Sequence, residues 1–170
     1  MDSLDCLKTR RSVRRFTEEP VAPEMLDEIL HAAMLAPSAK NQQPWHFVVV
    51  VKDAETRAKM TEVHPYMSFA RFAPVVILVC VEEAITPLPL AACDASAATM
   101  NILLAAHSLG LGATWCACWP YEERQKPLEE LLGIPEGVRV ISAIPLGHPA
   151  KELPEVPDRY QAGRVHPEKW

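Results

Sequence analysis

Residues 92–109, ACDASAATMNILLAAHSL, carry Ala, Leu and Ile around most of the circumference of a helix. A helix that is apolar on nearly every side has to be covered on several of them, so it belongs at the centre of a domain. Gly110 and Gly112 terminate it. Three apolar runs are available to surround it. His46 to Val51 and Val75 to Val81 are β-branched enough to read as buried strands of a sheet covered on both faces, and VRVISAIPLG (138–147) as a third strand. ATWCACW (113–119) is also strand-like.

Helical spacing accounts for most of the remainder. A helix is expected over residues 3–9, with Ser3 or Asp2 as N-cap and Leu4 and Leu7 turned inward. A second runs from Pro23 to about Leu35, with Leu26, Ile29, Leu30, Ala33 and Met34 on one face, and stops before Pro37. Residues 53–63 form a short exposed helix capped by Asp53. YEERQKPLEELLG (121–133) forms another, interrupted or restarted at Pro127. From His148 onward the pattern collapses into a proline-rich arm with no amphipathic period, which must either extend into solvent or lie on another surface; its terminal Trp170 favours docking on a partner subunit. At 170 residues, with no internal repeat, the chain is the length of one domain, mixed α/β or α+β in class.

Charge and cysteine content narrow the function classes. The net charge of −5 gives no global attraction to nucleic acid or anionic membrane, so any basic site is local. Five scattered cysteines fit a reducing cytoplasm better than a disulfide framework. The N-terminus MDSLDCLKTRR lacks a leader-like apolar region, and the run 73–81 falls far short of the ~20 residues of a membrane span, so the expectation is a soluble, unprocessed chain.

Three stretches carry chemistry. RRSVRRF sets Arg10, Arg11, Arg14 and Arg15 around Ser12, and guanidinium forks with a hydroxyl between them suit a phosphate. A solvated basic turn or a nucleic-acid patch are the alternatives, the latter disfavoured by the acidic balance. APSAKNQQPWHF (36–47) offers Ser38, Asn41, Gln42 and Gln43, whose donors and acceptors suit the edge of a heteroaromatic ring; the plainer reading is a polar loop with Trp45 anchoring the next strand. GLGATWCACW follows a helix instead of opening one, the wrong order for a dinucleotide fingerprint. Cys116 and Cys118 lack the usual metal or redox spacing, and structural thiols are the better reading. No histidine pair has helical metal-ligand spacing, so no metal ligand and no catalytic acid or base is assigned.

RRSVRRF, APSAKNQQPWHF, DASAATMNILLAAHSLGLGATW and the closing RVHPEKW, in this order and over nearly the whole chain, resemble the nitroreductase family of FMN enzymes, in its short branch. APS-x-x-N-x-Q-P-W is the most specific of these motifs. The resemblance implies an α+β nitroreductase-like fold: a central mixed β-sheet flanked by helices, a single domain over 1–170, and an intertwined homodimer embraced by the arm 148–170. It implies two FMN sites at the dimer interface. Arg10, Arg11, Ser12 and Arg14 would hold the phosphate, ribityl chain and pyrimidine side of the ring from one subunit. Pro37, Ser38, Ala39 and Asn41, with Gln43 in support, would reach in from the other. The backbone around Trp115, Cys116 and Ala117 would pass near the flavin N5, and Arg159 would offer a further phosphate contact. The chain departs from the family pattern in its Cys-Ala-Cys-Trp, bulkier than a minimal turn at the substrate wall.

The function so implied is hydride transfer from NADH or NADPH through the flavin to an electron-poor small-molecule acceptor such as a nitroaromatic or quinone. Specialised flavin chemistry on the same scaffold (dehalogenation, flavin breakdown, ring oxidation) is the alternative, and a substantial lid would favour it. A non-enzymatic flavin-binding module and a nucleic-acid binder built on RRSVRR are competing readings from other classes.

Overall fold

The computed structural model describes residues 2–51 and 53–170. Ten elements follow in chain order: α1 (Ser3–Thr9), α2 (Pro23–Met34), β1 (Trp45–Val50), α3 (Ala54–Val63), β2 (Val75–Glu82), α4 (Leu88–Ser108), β3 (Gly112–Ala113), β4 (Cys116–Ala117), α5 (Glu122–Leu132) and β5 (Val138–Gly147). The sheet runs β1-β2-β5-β3, with β4 also paired to β5, and every strand pair is antiparallel. A parallel bridge between Ser12 and Ala113 adds the N-terminal segment and makes the sheet mixed.

Strand periodicity divides the core in two. Val75, Ile77, Val79 and Val81 of β2 point to the face covered by α2 and α4, while Val76, Leu78 and Cys80 meet Met60 of α3, Met67 and Leu128 of α5 on the other. The result is helices on both faces of one sheet, an α+β architecture. The β2–β5 register slips between Val79 and Cys80: Val79 faces Ser142 but Cys80 faces Val140, so Ile141 is the extra residue of a β-bulge. The bulge frees the Ile141 carbonyl, which accepts from the N–H groups of Cys118 (3.0 Å) and Trp119 (3.1 Å) and so anchors the chain leaving β4.

α4 is long and apolar enough to cross a bilayer by length and composition, yet residues including Ala91, Ala95, Ala98, Thr99, Ile102 and Ala106 are buried against its neighbours, as the sequence pattern requires of a central helix. It begins at Leu88, four residues earlier than expected, because Pro89 in the first turn has no N–H to leave unpaired. At its other end Gly110 adopts φ +81°, the Gly110 N–H donates to His107 O and the Leu111 N–H to Ala106 O. These two bonds close a Schellman motif. Gly110 alone ends the helix, and Gly112 belongs to β3.

Other expectations are corrected. Leu4 and Leu7 are 60% and 53% exposed, and Cys6 is the residue of α1 that is buried. The helix is too short for its leucine pair to outweigh the contact of Cys6 with α4, where its Sγ lies 3.3 Å from the Leu104 carbonyl. Met34 is likewise exposed. β1 is an edge strand whose middle is only half-buried, not a strand covered on both faces. α5 runs unbroken through Pro127, whose missing N–H would have bonded to Glu123 in the exposed first turn.

Candidate functional site

The cationic turn is built by pinning its backbone. The Arg10 N–H caps α1 on the Cys6 carbonyl, the Val13 N–H donates to Ala113 O (3.0 Å), and the Thr114 hydroxyl donates to Val13 O. Val13 is buried, which forces its neighbours Ser12 and Arg14 to face outward. This close approach needs Gly112, because a Cβ there would lie 2.6 Å from Val13 Cβ. Among the described residues Arg10, Arg11, Arg14 and Arg15 form no ion pair with a carboxylate, and Arg11 keeps one terminal guanidinium nitrogen buried without a partner. Uncompensated guanidinium groups around a hydroxyl are the donor set a phosphate ester requires.

Two concavities meet this turn. A cleft of about 500 Å³ is lined by Arg14, by Thr114, Trp115, Cys116 and Ala117 of the segment around β4, and by His64, Tyr66, Phe69 and Arg124. A groove of similar size brings Arg10 together with Arg159 of the arm, beside Leu7 and Tyr160. The structure therefore gathers Arg14, Trp115, Cys116 and Ala117 in one cleft and Arg10 and Arg159 in another. Arg11 and Ser12 lie in the turn between them and line neither.

The loop 37–43 does not join these residues within the chain. Ser38 Oγ accepts from the Gln43 N–H (3.0 Å), Asp94 Oδ1 accepts from the Ala39 N–H (3.0 Å), and Lys40, Asn41 and Gln43 all have positive φ. Gln42 is internal glue: its amide donates to Ile85 O (2.9 Å) and accepts from the Thr86 hydroxyl (3.2 Å). The side chains of Asn41 and Gln43 are left exposed without partners among the described residues, and so is Pro37. Trp45 packs in the core with Ala36 and Ala98, as an anchor for β1.

Burial pushes the Cys116 thiol up to about 12 and raises the Cys118 thiol as well, so both are protonated members of the core, Cys116 where the core borders the cleft. No three His, Cys, Asp or Glu side chains converge on a metal-sized site among the described residues.

Two cleft residues had no readable sequence signal. His64 is fully buried, accepts from the Tyr66 N–H at Nδ1 (3.3 Å), and so donates from Nε2 to Ala117 O (3.1 Å). Arg124 donates to the same carbonyl (3.2 Å). A lone histidine and one arginine in a charged helix carry no periodicity; only the tertiary contact on Ala117 marks them.

Burial, ahead of the nearby Arg124 charge, holds His64 below its ordinary pKa of 6.5. The unfolded chain then protonates first, so the stability His64 provides is complete above about pH 6.5 and is lost as pH falls toward its folded value. Thermal melts of wild type and His64→Gln between pH 5 and 7.5 should show a shallower acid decline in the variant. Part of the slope should persist, because burial also lowers His107. Parallel curves would contradict the assignment.

The Nitroreductase family model matches residues 7–64 and 63–148, which include the turn, the loop 37–43 and the residues lining the cleft. A relative from Methanothermobacter thermautotrophicus, provisionally named NADH dehydrogenase/NAD(P)H nitroreductase, is 47% identical over 171 residues, covering 100% of this chain and 88% of that protein. An FMN reductase [NAD(P)H] from Bacillus subtilis is 31% identical over 96% of this chain and 72% of its own. The solved structure of an FMN-dependent nitroreductase from Clostridium difficile superposes with a TM-score of 0.90 at 30% identity, over 98% of this chain and 99% of that one. A sheet between two helical layers, a guanidinium turn pinned to β3 and a full-length match in sequence and backbone lead to one assignment: the chain belongs to the nitroreductase family.

Proposed function

We propose that this chain is a homodimeric, FMN-dependent oxidoreductase of the cytoplasm, one FMN-binding domain long, that takes electrons from NADH or NADPH and delivers them to electron-poor small molecules such as nitroaromatics or quinones. Within that reading, NAD(P)H-dependent flavin oxidoreductase activity with FMN as cofactor follows from family membership and from relatives named for it. The observation that carries it is the guanidinium turn, whose arginines form no ion pair among the described residues, beside a cleft with no Asp or Glu among its described lining residues; this donor set fits a phosphate ester bearing a flat ring. FMN, when bound, supplies the two-electron chemistry.

The chain's own residues bind and orient. Arg10, Arg11 and Ser12, with Arg159 from the arm, hold the phosphate and ribityl chain. Arg14, which lines the cleft, would supply a fixed positive charge that favours added electron density on the ring, a preorganised electrostatic contribution. Trp115, Cys116 and Ala117 would form the wall along the ring; the Ala117 carbonyl is held by His64 and Arg124. Pro37, Ser38, Ala39, Asn41 and Gln43 complete the site from a second copy. Two features favour that arrangement: the exposed amides of Asn41 and Gln43 have no hydrogen-bond partner among the described residues, and Trp170 of the arm is 100% exposed. The five free cysteines suit a reducing compartment.

Anaerobic addition of NADH or NADPH to the yellow holo-protein should bleach its visible absorbance, and a nitroaromatic or quinone should restore it over repeated cycles. Flavin that neither donor bleaches would overturn the reading. The segment between β2 and α4 is short, and its Thr86 is tied down by Gln42, so an open pocket for varied acceptors is favoured over a lidded one.

A further inference from the structure

We infer that the cleft contains a binding site for an oxyanion carried on the ring of the acceptor, with Arg124 as its recognition group, so that carboxylated acceptors are preferred over neutral ones; this rests on the oxidoreductase reading above. Arg124 is held from three sides. Its guanidinium lies 3.7 Å from the Tyr121 ring centroid and 5.0 Å from that of Tyr66, and one terminal nitrogen donates to the Ala117 carbonyl. Among the described residues its Nε is buried without a partner, while its Nη2 has no partner and is not buried. The charge is therefore rigidly placed, uncompensated, and able to donate outward.

Among the described residues its surroundings hold no carboxylate that pairs with it. Among the described residues no Asp or Glu lines the cleft, and Arg14, whose guanidinium carbon lies 6.0 Å from the centroid of the Phe69 ring, likewise forms no ion pair. The acidic residues next to Arg124 are directed elsewhere: Glu122 pairs with Lys126 at 2.8 Å, and Glu123 is exposed outside the cleft. A chain of net charge −5 thus presents two guanidinium groups in one cavity, neither in an ion pair among the described residues: Arg14, assigned above to the flavin, and Arg124, left to attract a small anion entering it. Arg124 shares the Ala117 carbonyl with His64, so it borders the wall assigned above to the ring. That position suits a substituent on the reacting ring more than the adenosine phosphate of the donor, which lies several bonds further from the nicotinamide.

The test uses holo-protein and two acceptors of matched shape, 4-nitrobenzoate and methyl 4-nitrobenzoate. In Arg124→Gln the ratio of kcat/KM for the acid to that for the ester should fall about tenfold, the size of one charge-assisted hydrogen bond, with the loss in KM. Arg124→Lys should recover part of the ratio. Calorimetric titration with benzoate, which needs no turnover, should show weaker binding to Arg124→Gln by a similar factor. If Arg124 acted only by supporting Ala117, acid and ester would decline together and the ratio would hold, overturning the inference. A change in the NADPH-to-NADH ratio without a change in the acid-to-ester ratio would also overturn it, by assigning the cation to the donor. Failure of the oxidoreductase reading is distinguishable: neither donor would bleach the flavin, and benzoate binding would still decide whether Arg124 holds an oxyanion.

Discussion

Gly112→Ala should destabilise the fold by about 1–3 kcal/mol and sharply reduce FMN retention, because it overfills the contact that positions the arginine turn. The new methyl would lie 2.6 Å from Val13 Cβ, 2.6 Å from its Cγ2 and 2.7 Å from its Cγ1. Rotating Val13 gives no relief, since the nearest atoms include the carbon attached to its backbone. Either β3 or the segment around Ser12 must move, and both are joined by the Val13 N–H bond to Ala113 and the Ser12–Ala113 bridge. Displacement there carries Ser12 and Arg14 with it. Thermal melts and the flavin-to-protein absorbance ratio after gel filtration would measure both effects. A variant that melts and retains flavin like wild type would show that the contact is softer than its geometry implies.

Arg10→Ala and Asn41→Ala should each weaken FMN retention. For Arg10 the loss should be about 1.5–3 kcal/mol, roughly 10- to 150-fold, from one charged hydrogen bond. The two residues stand in different parts of the chain: Arg10 shares a groove with Arg159, while Asn41 lies on a loop that lines neither cavity. If each site is built from two subunits, the mutations complement each other. A heterodimer of the two variants would hold one doubly mutated site and one wild-type site. Random pairing after co-refolding should restore about a quarter of all sites to wild-type affinity, where neither homodimer has any. Equilibrium titration with FMN would resolve that fraction. No recovery on mixing would place both residues in one subunit's site, and undiminished affinity in the single variants would remove them from it.

Particular residues show how far the sequence could be read. Val75 to Val81 was legible as a buried strand because every residue is apolar and most are β-branched, and the structure buries all of them. Trp45 was legible as an anchor because a large ring next to an apolar run has few other places to go. Gly110 was legible as a terminator. β1 was misread because an apolar run reports hydrophobicity and not its place in the strand order; at the edge of the sheet its valines are only half covered. Leu4 and Leu7 were misread because a seven-residue helix takes its orientation from what it docks against, here Cys6 on α4.

The candidate site divides along the same line. Its chemistry, cations around Ser12 and amides around Asn41, lies in short contiguous motifs, and local composition is what a sequence displays directly. Its architecture depends on contacts between segments about a hundred residues apart, such as Val13 with Ala113 and Thr114. Ala117 likewise receives His64 across 53 positions, while Ile141 supplies its carbonyl only through a bulge. Sequence alone determined which elements form and which charges are available, because periodicity and residue type act locally. Which of those charges share a cleft was decided by tertiary structure, because burial of both sheet faces and the slip in the β2–β5 register set the positions of β3, β4 and the residues packed on them.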